Sequence, residues 1–215
     1  MSGNFTITDT AIGWDQRLRS DGVSGNFTIT DAAIPAVKLI EPKRFGDQRG
    51  FFSEVYSRAA FLSAGIDLEF VQDNHSLSQQ VGTLRGLHFQ APPFAQDKLI
   101  RCPRGRILDV AVDIRRGSPT FGAHVAVELS EENWRQLLVP KGFAHGFITL
   151  EPSSEVLYKV TAPYSAAHDL GLAFSDPALG IAWPAPAGGP ALSQKDRSHP
   201  LLAELPAYFD YADPR

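Results

Sequence analysis

Between residues 36 and 161 the chain is a succession of short runs rich in β-branched and aromatic residues, each cut off by Gly, Pro, Asp or Asn before it reaches the length of a typical helix. The runs are AVKLIEP (36–42), FFSEVYS (51–57), EFVQDNHS (69–76), TLRGLHFQ (83–90), DKLIRCP (97–103), RILDVAVDIR (106–115), AHVAVELS (123–130), RQLLVP (135–140), AHGFITLE (144–151) and SEVLYKVT (154–161). Runs of this length with turn residues between them are strands. Only RAAFLSAG (58–65) reads as a helix, of about two turns, with Gly65 placed to end it. Sixteen prolines and eighteen glycines supply turn and bulge residues. The pattern predicts an all-β fold with a few short helices, a sandwich, jelly roll or barrel whose mouth can hold one small ligand.

Composition narrows the partners. With 43% hydrophobic and 20% charged residues in 215, the chain can bury a core as a single domain. A net charge of −4, spread along the sequence, offers no broad basic face for nucleic acid or anionic lipid. There is no apolar run of about 18 residues, and MSGNFTITDT lacks the features of a signal peptide, so a cytoplasmic protein is expected. Cys102, the only cysteine, removes internal disulfides and thiolate metal clusters together. SGNFTITDTAI at 2–12 recurs as SGNFTITDAAI at 24–34. Residues 1–23 therefore read as a duplicated or extended, mobile leader before a single domain at 24–215, the rival reading being an amino-terminal strand that pairs with another subunit.

Three segments concentrate reactive groups: RGLHFQ (85–90), PKGFAHGF (140–147) and LYK (157–159). Simple alternation places Arg85 and Leu87 on one face of a strand and Gly86, His88 and Gln90 on the other. A lone histidine there is more often structural than catalytic. Pro140-x-Gly142-x-x-His145 has the spacing of the second cupin motif, whose His ligates metal in metal-dependent cupins. The first motif's His-x-His pair and Glu are missing, since Phe89 and Gln90 follow His88. Two histidines without an adjacent carboxylate fall short of the usual three ligands, so neither metal nor other cofactor is expected. What remains suits proton transfer at carbon: a histidine base, a cation such as Lys98 for an enolate oxygen, and Tyr158 as an acid.

The runs FGDQRGFFSE, FVQDNHS, LRGLHFQ, KLIRC, DVAVDIR, SPTFG, VPKGFAHGF, LYKVT and ALSQKD, in this order, resemble the dTDP-4-dehydrorhamnose 3,5-epimerase family from about Ala36 to Leu202. The resemblance implies a metal-independent cupin-type jelly roll, or double-stranded β-helix, acting as a homodimer. His88 matches the base, Asp196 the carboxylate that orients it, Lys98 the lysine at the 4-keto oxygen and Tyr158 the acid on the opposite face. His145 would line the sugar site, leaving the cupin motif as a relic of the fold.

The resemblance also implies a dTDP-sugar pocket partly completed by the partner subunit. Arg49, Phe51 and Glu54 fall in the segment that reaches it. Gln72, Asp73 and Asn74 match a binding stretch, Arg85 and Lys195 match diphosphate and nucleotide contacts, and Tyr164 matches the aromatic that stacks on thymine. Asp169 stands where a Glu is frequent, one methylene longer, and Phe174 where a Trp is frequent. The competing readings are plain: Asp73 and Glu54 as strand-edge charges, Phe51 as packing, and His75, His124, His168 and His199 as ordinary surface or structural residues. The implied activity is inversion at C3 and C5 of dTDP-4-dehydro-6-deoxy-D-glucose, giving dTDP-4-dehydro-L-rhamnose. The alternatives are a C3-only or C5-only monoepimerase, an inactive sugar-nucleotide-binding module, and a metal-dependent cupin isomerase or oxygenase.

Overall fold

The computed structural model describes residues 20–211. Fourteen strands are seen there: β1 (Ser20–Ser24), β2 (Phe27–Asp31), β3 (Lys38–Pro42), β4 (Arg44–Asp47), β5 (Gly50–Ser53), β6 (Gln72–Ser78), β7 (Leu84–Gln90), β8 (Lys98–Arg104), β9 (Arg106–Asp113), β10 (His124–Ser130), β11 (Gln136–Val139), β12 (Phe143–Thr149), β13 (Ser154–Val160) and β14 (Asp169–Gly171). Each of the ten expected runs contains one, although 51–57 shortens to β5. The expected helix is α1 (Arg58–Ser63), its first turn capped by the Ser57 side chain, and Gly65 follows it at φ +81°. Three short 3-10 turns, Pro177–Leu179, Lys195–Arg197 and Leu202–Glu204, lie in the carboxyl-terminal segment.

Residues 1–19 of the expected leader lie outside the described residues. Residues 20–23 belong to β1, which pairs antiparallel with β2, the strand built from the second copy of the repeat. One sheet runs β1-β2-β3-β11-β8-β13-β6 and a second runs β10-β9-β12-β7-β14, while β4 and β5 form a separate hairpin. This is a jelly roll of two facing sheets.

The alternation of residues sets three apolar layers. Ile100, Cys102, Leu137, Val139 and Val156 from the first sheet meet Ile107, Ala111, Phe143 and Phe147 from the second to fill the interior. Val110, Val112, Leu87 and Phe89 face outward and are covered by Leu172, Leu179, Leu202 and Leu205 of the carboxyl-terminal segment. On the far side, Phe27, Ile29, Ile40, Leu99 and Leu138 are covered by Phe61 of α1. RILDVAVDIR alternates imperfectly because β9 is covered on both faces, and one of them carries the buried Asp109 and Asp113 beside Ile107 and Ala111.

That layering positions the chemistry. At the end of the roll nearest Lys98 and Tyr158 the interior changes from apolar to polar, because Lys98 and Ile100, two apart on β8, share a face, and Ile100 pairs with Tyr158 on β13. The carboxyl-terminal segment that seals the second sheet also carries Asp196 across to β7.

Candidate active site

His88 projects from β7 and its ring is about 30% exposed. Its Nε2–H donates to Asp196 Oδ1 at 2.5 Å. Asp196 is almost fully buried in the 3-10 turn at Lys195–Arg197, where Ser193 Oγ–H donates to its Oδ2 at 2.7 Å and the Asp196 amide donates back to Ser193 Oγ at 3.1 Å. Burial pushes the Asp196 carboxyl upward, but the hydrogen bonds from His88 and Ser193 outweigh it and hold the group below its ordinary value. The carboxylate thus holds the proton of His88 on Nε2. The lone pair stays on Nδ1, which has no hydrogen-bond partner among the described residues.

Lys98 is buried and its Nζ donates to the His88 carbonyl at 3.3 Å. Burial lowers its pKa to about 8, against the pull of Asp169 and Asp109. It therefore remains mostly a cation at neutral pH, in a place with little water to screen it. Tyr158 is raised above its ordinary pKa by burial, with Arg85 opposing the shift and Asp169 adding to it, so it stays protonated.

Arg85 corrects the simple alternation. His88 pairs with His145 and Arg85 pairs with Phe147, so three steps along β7 match two along β12. This bulge brings Arg85 onto the same face as His88. Glycine is required at its centre: Gly86 has φ +135°, and a Cβ there would lie 2.5 Å from the Gly146 Cα. Arg85 is held by Ser78 Oγ and the Leu77 carbonyl at 3.1 and 3.2 Å.

His145 lies beside His88 but belongs to a second pair, its Nε2 to Asp109 Oδ1 at 2.8 Å, with both side chains buried. Asp196 was expected beside His88, whereas Asp109 beside His145 was not. Each histidine has its own carboxylate, brought from a distant part of the sequence. Gly142 of the cupin motif serves the backbone, at φ +86° in the turn into β12.

A polar chain leads outward from the dyad. Asp169, on β14 next to β7, accepts from the Tyr164 hydroxyl at 3.1 Å and pairs with Lys195. That hydrogen bond raises the Tyr164 pKa. The shorter Asp169 thus reaches both neighbours. Gln72 Oε1 accepts from the Tyr164 amide at 3.1 Å, and its Nε2 donates to Asn74 Oδ1 at 2.7 Å. Asn74 pairs with Tyr158 across β6 and β13. Asp73 points to the other face and binds Lys159 at 2.9 Å.

The remaining candidates stand apart from this cluster within the chain. Arg49 is bonded to Asp47 at the tip of the β4–β5 hairpin, and Glu54 accepts from Asn26 at 3.1 Å. Phe51 packs edge-on against Trp134 with ring centroids 5.0 Å apart, yet remains 54% exposed. Ser193, Asp109 and His199 were not recognised as part of the site. For His199 the available signal was its position three residues beyond Asp196, one turn along a helical path.

With this geometry in place, the family model for dTDP-4-dehydrorhamnose 3,5-epimerase matches residues 31–204. The chain belongs to this family. A dTDP-4-dehydrorhamnose 3,5-epimerase of Sinorhizobium fredii is 58% identical over 178 residues, covering 83% of this chain and 91% of the relative. The crystal structure of a dTDP-6-deoxy-D-glucose-3,5-epimerase from Legionella pneumophila, in complex with dTDP-4-keto-L-rhamnose, has a TM-score of 0.82 at 44% identity, covering 86% of this chain and 98% of that one. A 3'-monoepimerase from Streptomyces bikiniensis in complex with dTDP-quinovose has a TM-score of 0.79 at 33% identity, covering 85% and 93%. The solved structures similar to this chain thus include a 3,5-epimerase and a 3'-monoepimerase.

Proposed function

We propose that this protein epimerises dTDP-4-dehydro-6-deoxy-D-glucose at C3 and C5, giving dTDP-4-dehydro-L-rhamnose without a cofactor. The observation that carries the reading is the His88–Asp196 dyad with buried, cationic Lys98 beside it. A 4-keto group acidifies the C–H bonds at both neighbouring carbons. His88 Nδ1 removes the proton, and Asp196 stabilises the imidazolium that forms. The electron pair moves onto the 4-oxygen, where the Lys98 ammonium compensates the developing charge. Tyr158 delivers a proton to the opposite face, which inverts the centre; once His88 has released its proton to water and Tyr158 has regained one, the second carbon repeats the sequence. Arg85 and Lys195 supply charge for the diphosphate, and exposed Tyr164 offers a flat face for the base.

Identity favours this reading over the monoepimerase, because the 3,5-epimerase relatives are much more similar than the single-centre enzyme. The intact set of His88, Asp196, Lys98 and Tyr158 speaks against an inactive binding module. Arg49, Phe51 and Glu54, detached from the dyad within one chain, are assigned to the nucleotide pocket of a homodimer partner. A nucleotide-sugar substrate and a lone buried thiol suit the cytoplasm, and no described helix is long and apolar enough to cross a membrane.

The roles are tested by following the 4-keto substrate in deuterated water with two variants. His88→Ala should lose exchange at both carbons by about 10²–10⁴-fold. Tyr158→Phe should depress inversion more than exchange. Equal loss of exchange in the two variants would overturn the division of labour.

A further inference from the structure

His199 is the one described histidine that is buried without a hydrogen bond. Its side chain is 8% exposed and its Nε2 has no partner. That nitrogen lies 3.7 Å from Asp196 Oδ1, the same oxygen that accepts from His88, and the two imidazole centroids are 5.5 Å apart at 79°. The ring is seated against Gly171, whose added Cβ would meet it at 2.3 Å. Gly171 in turn pairs with His88 across β14 and β7. Its place beside the dyad therefore depends on a residue without a side chain.

An orphaned polar atom at this depth calls for a reason. One ligand atom from each of His88, Asp196 and His199 lies within 4.8 Å of the other two. Tetrahedral ligands at about 2.0–2.1 Å from a zinc ion stand roughly 3.4 Å apart. The 2.5 Å contact would open and the 3.7 Å contact close, each by about 1 Å or less, and the two histidine nitrogens, within 4.8 Å of each other, would close by up to about 1.4 Å. Two imidazoles and one carboxylate suit zinc, cobalt, nickel or copper rather than magnesium or calcium.

We propose that His88, Asp196 and His199 form an inhibitory site for a divalent transition-metal ion, of which zinc is the model. The ion takes the lone pair of His88 Nε2. The single proton of the neutral imidazole then resides on Nδ1, where the base must be bare. Occupancy removes the base while taking no ligand atom from Arg85, Lys195 or Tyr164, so turnover falls mainly through kcat. The inhibitory consequence rests on His88 being the base, whereas the binding site itself does not.

Binding is read first with Co²⁺ alone, added to chelator-treated full-length protein. The expected result is a tetrahedral visible absorption band saturating at one equivalent, lost in His199→Phe, which keeps a ring over Gly171 without a ligand nitrogen. Added zinc should then inhibit the wild type reversibly, with chelator restoring activity, and inhibit His199→Phe at least about tenfold more weakly. Zinc inhibition equal in both proteins would overturn the site. Should the variant fail to fold, X-ray absorption of the zinc-loaded wild type decides: two imidazoles and oxygen support the trio, while sulfur from Cys102 or a single imidazole refutes it. Cobalt bound at the trio with full activity supports the site and counts instead against His88 as base.

Discussion

At the level of single residues, the site depends on partners that the sequence separates widely. His88 and Asp196 are 108 positions apart and His145 and Asp109 are 36 apart. Motifs identify such residues one by one, while only the fold pairs them. His88, Lys98 and Tyr158 were legible because their types and neighbours suit proton transfer. Ser193, Asp109 and His199 were not, because their meaning lies in a contact rather than in a pattern. Lys98 gives the sharpest prediction. It must be a cation to serve an enolate, and its pKa of about 8 places its neutralisation just above physiological pH. The kcat/KM profile should fall as pH rises through about 8, since that ratio reports the free enzyme. Lys98→Arg should lose this alkaline limb even as its rate drops. The native pKa lies below the ordinary value of 10.5, so the unfolded chain binds more protons between about 8 and 10.5. Over that window this group makes stability rise with pH, and below about 8 its cost is fully present. Lys98→Met should therefore be inactive and more heat-resistant at pH 7, as measured by thermal unfolding.

Among the elements, ten of the fourteen described strands were read from short runs and turn residues, while β1, β2, β4 and β14 were not. The misses have physical causes. β4 pairs with β5 in a hairpin outside both main sheets and largely exposed, so no burial imposes alternation on β4, and β5 is shorter than the run 51–57. The hairpin stays in place through Arg44, whose guanidinium sits over Phe51 and Trp134 and donates to the Glu131 and Glu132 carbonyls at 3.2 and 2.7 Å. β14 is only three residues long. The bulge in β7 defeated alternation because one extra residue reverses the faces that follow it. Gly86→Ala tests that element: its Cβ would strike the Gly146 backbone at a φ that L-residues rarely adopt. Its cost should be about 1–3 kcal/mol or more in denaturant unfolding, with Arg85 and His88 no longer aligned and kcat/KM reduced in the folded fraction. Unchanged stability and activity would show that the bulge does not set the site.

For the molecule as a whole, the exposed aromatics of the β4–β5 hairpin bear on assembly. Phe45, Phe51 and Phe52 are 42%, 54% and 69% exposed on one hairpin, which also carries Arg49 at its tip. If this hairpin completes the pocket of a second copy, Phe51→Ser combined with Phe52→Ser should shift the protein toward monomer in sedimentation and raise KM for the nucleotide sugar much more than it lowers kcat. A dimer that persists with unchanged KM would contradict the assignment. The central claim, that one base serves two carbons beside a single ketone, is tested most directly in the unmodified protein. Incubation with dTDP-4-dehydro-6-deoxy-D-glucose in deuterated water, with NMR at C3 and C5 and trapping by a 4-keto reductase specific for the L-rhamnose product, should give deuterium at both carbons and dTDP-L-rhamnose. Deuterium and inversion at one carbon alone would make the protein a monoepimerase, and deuterium at neither would contradict the account.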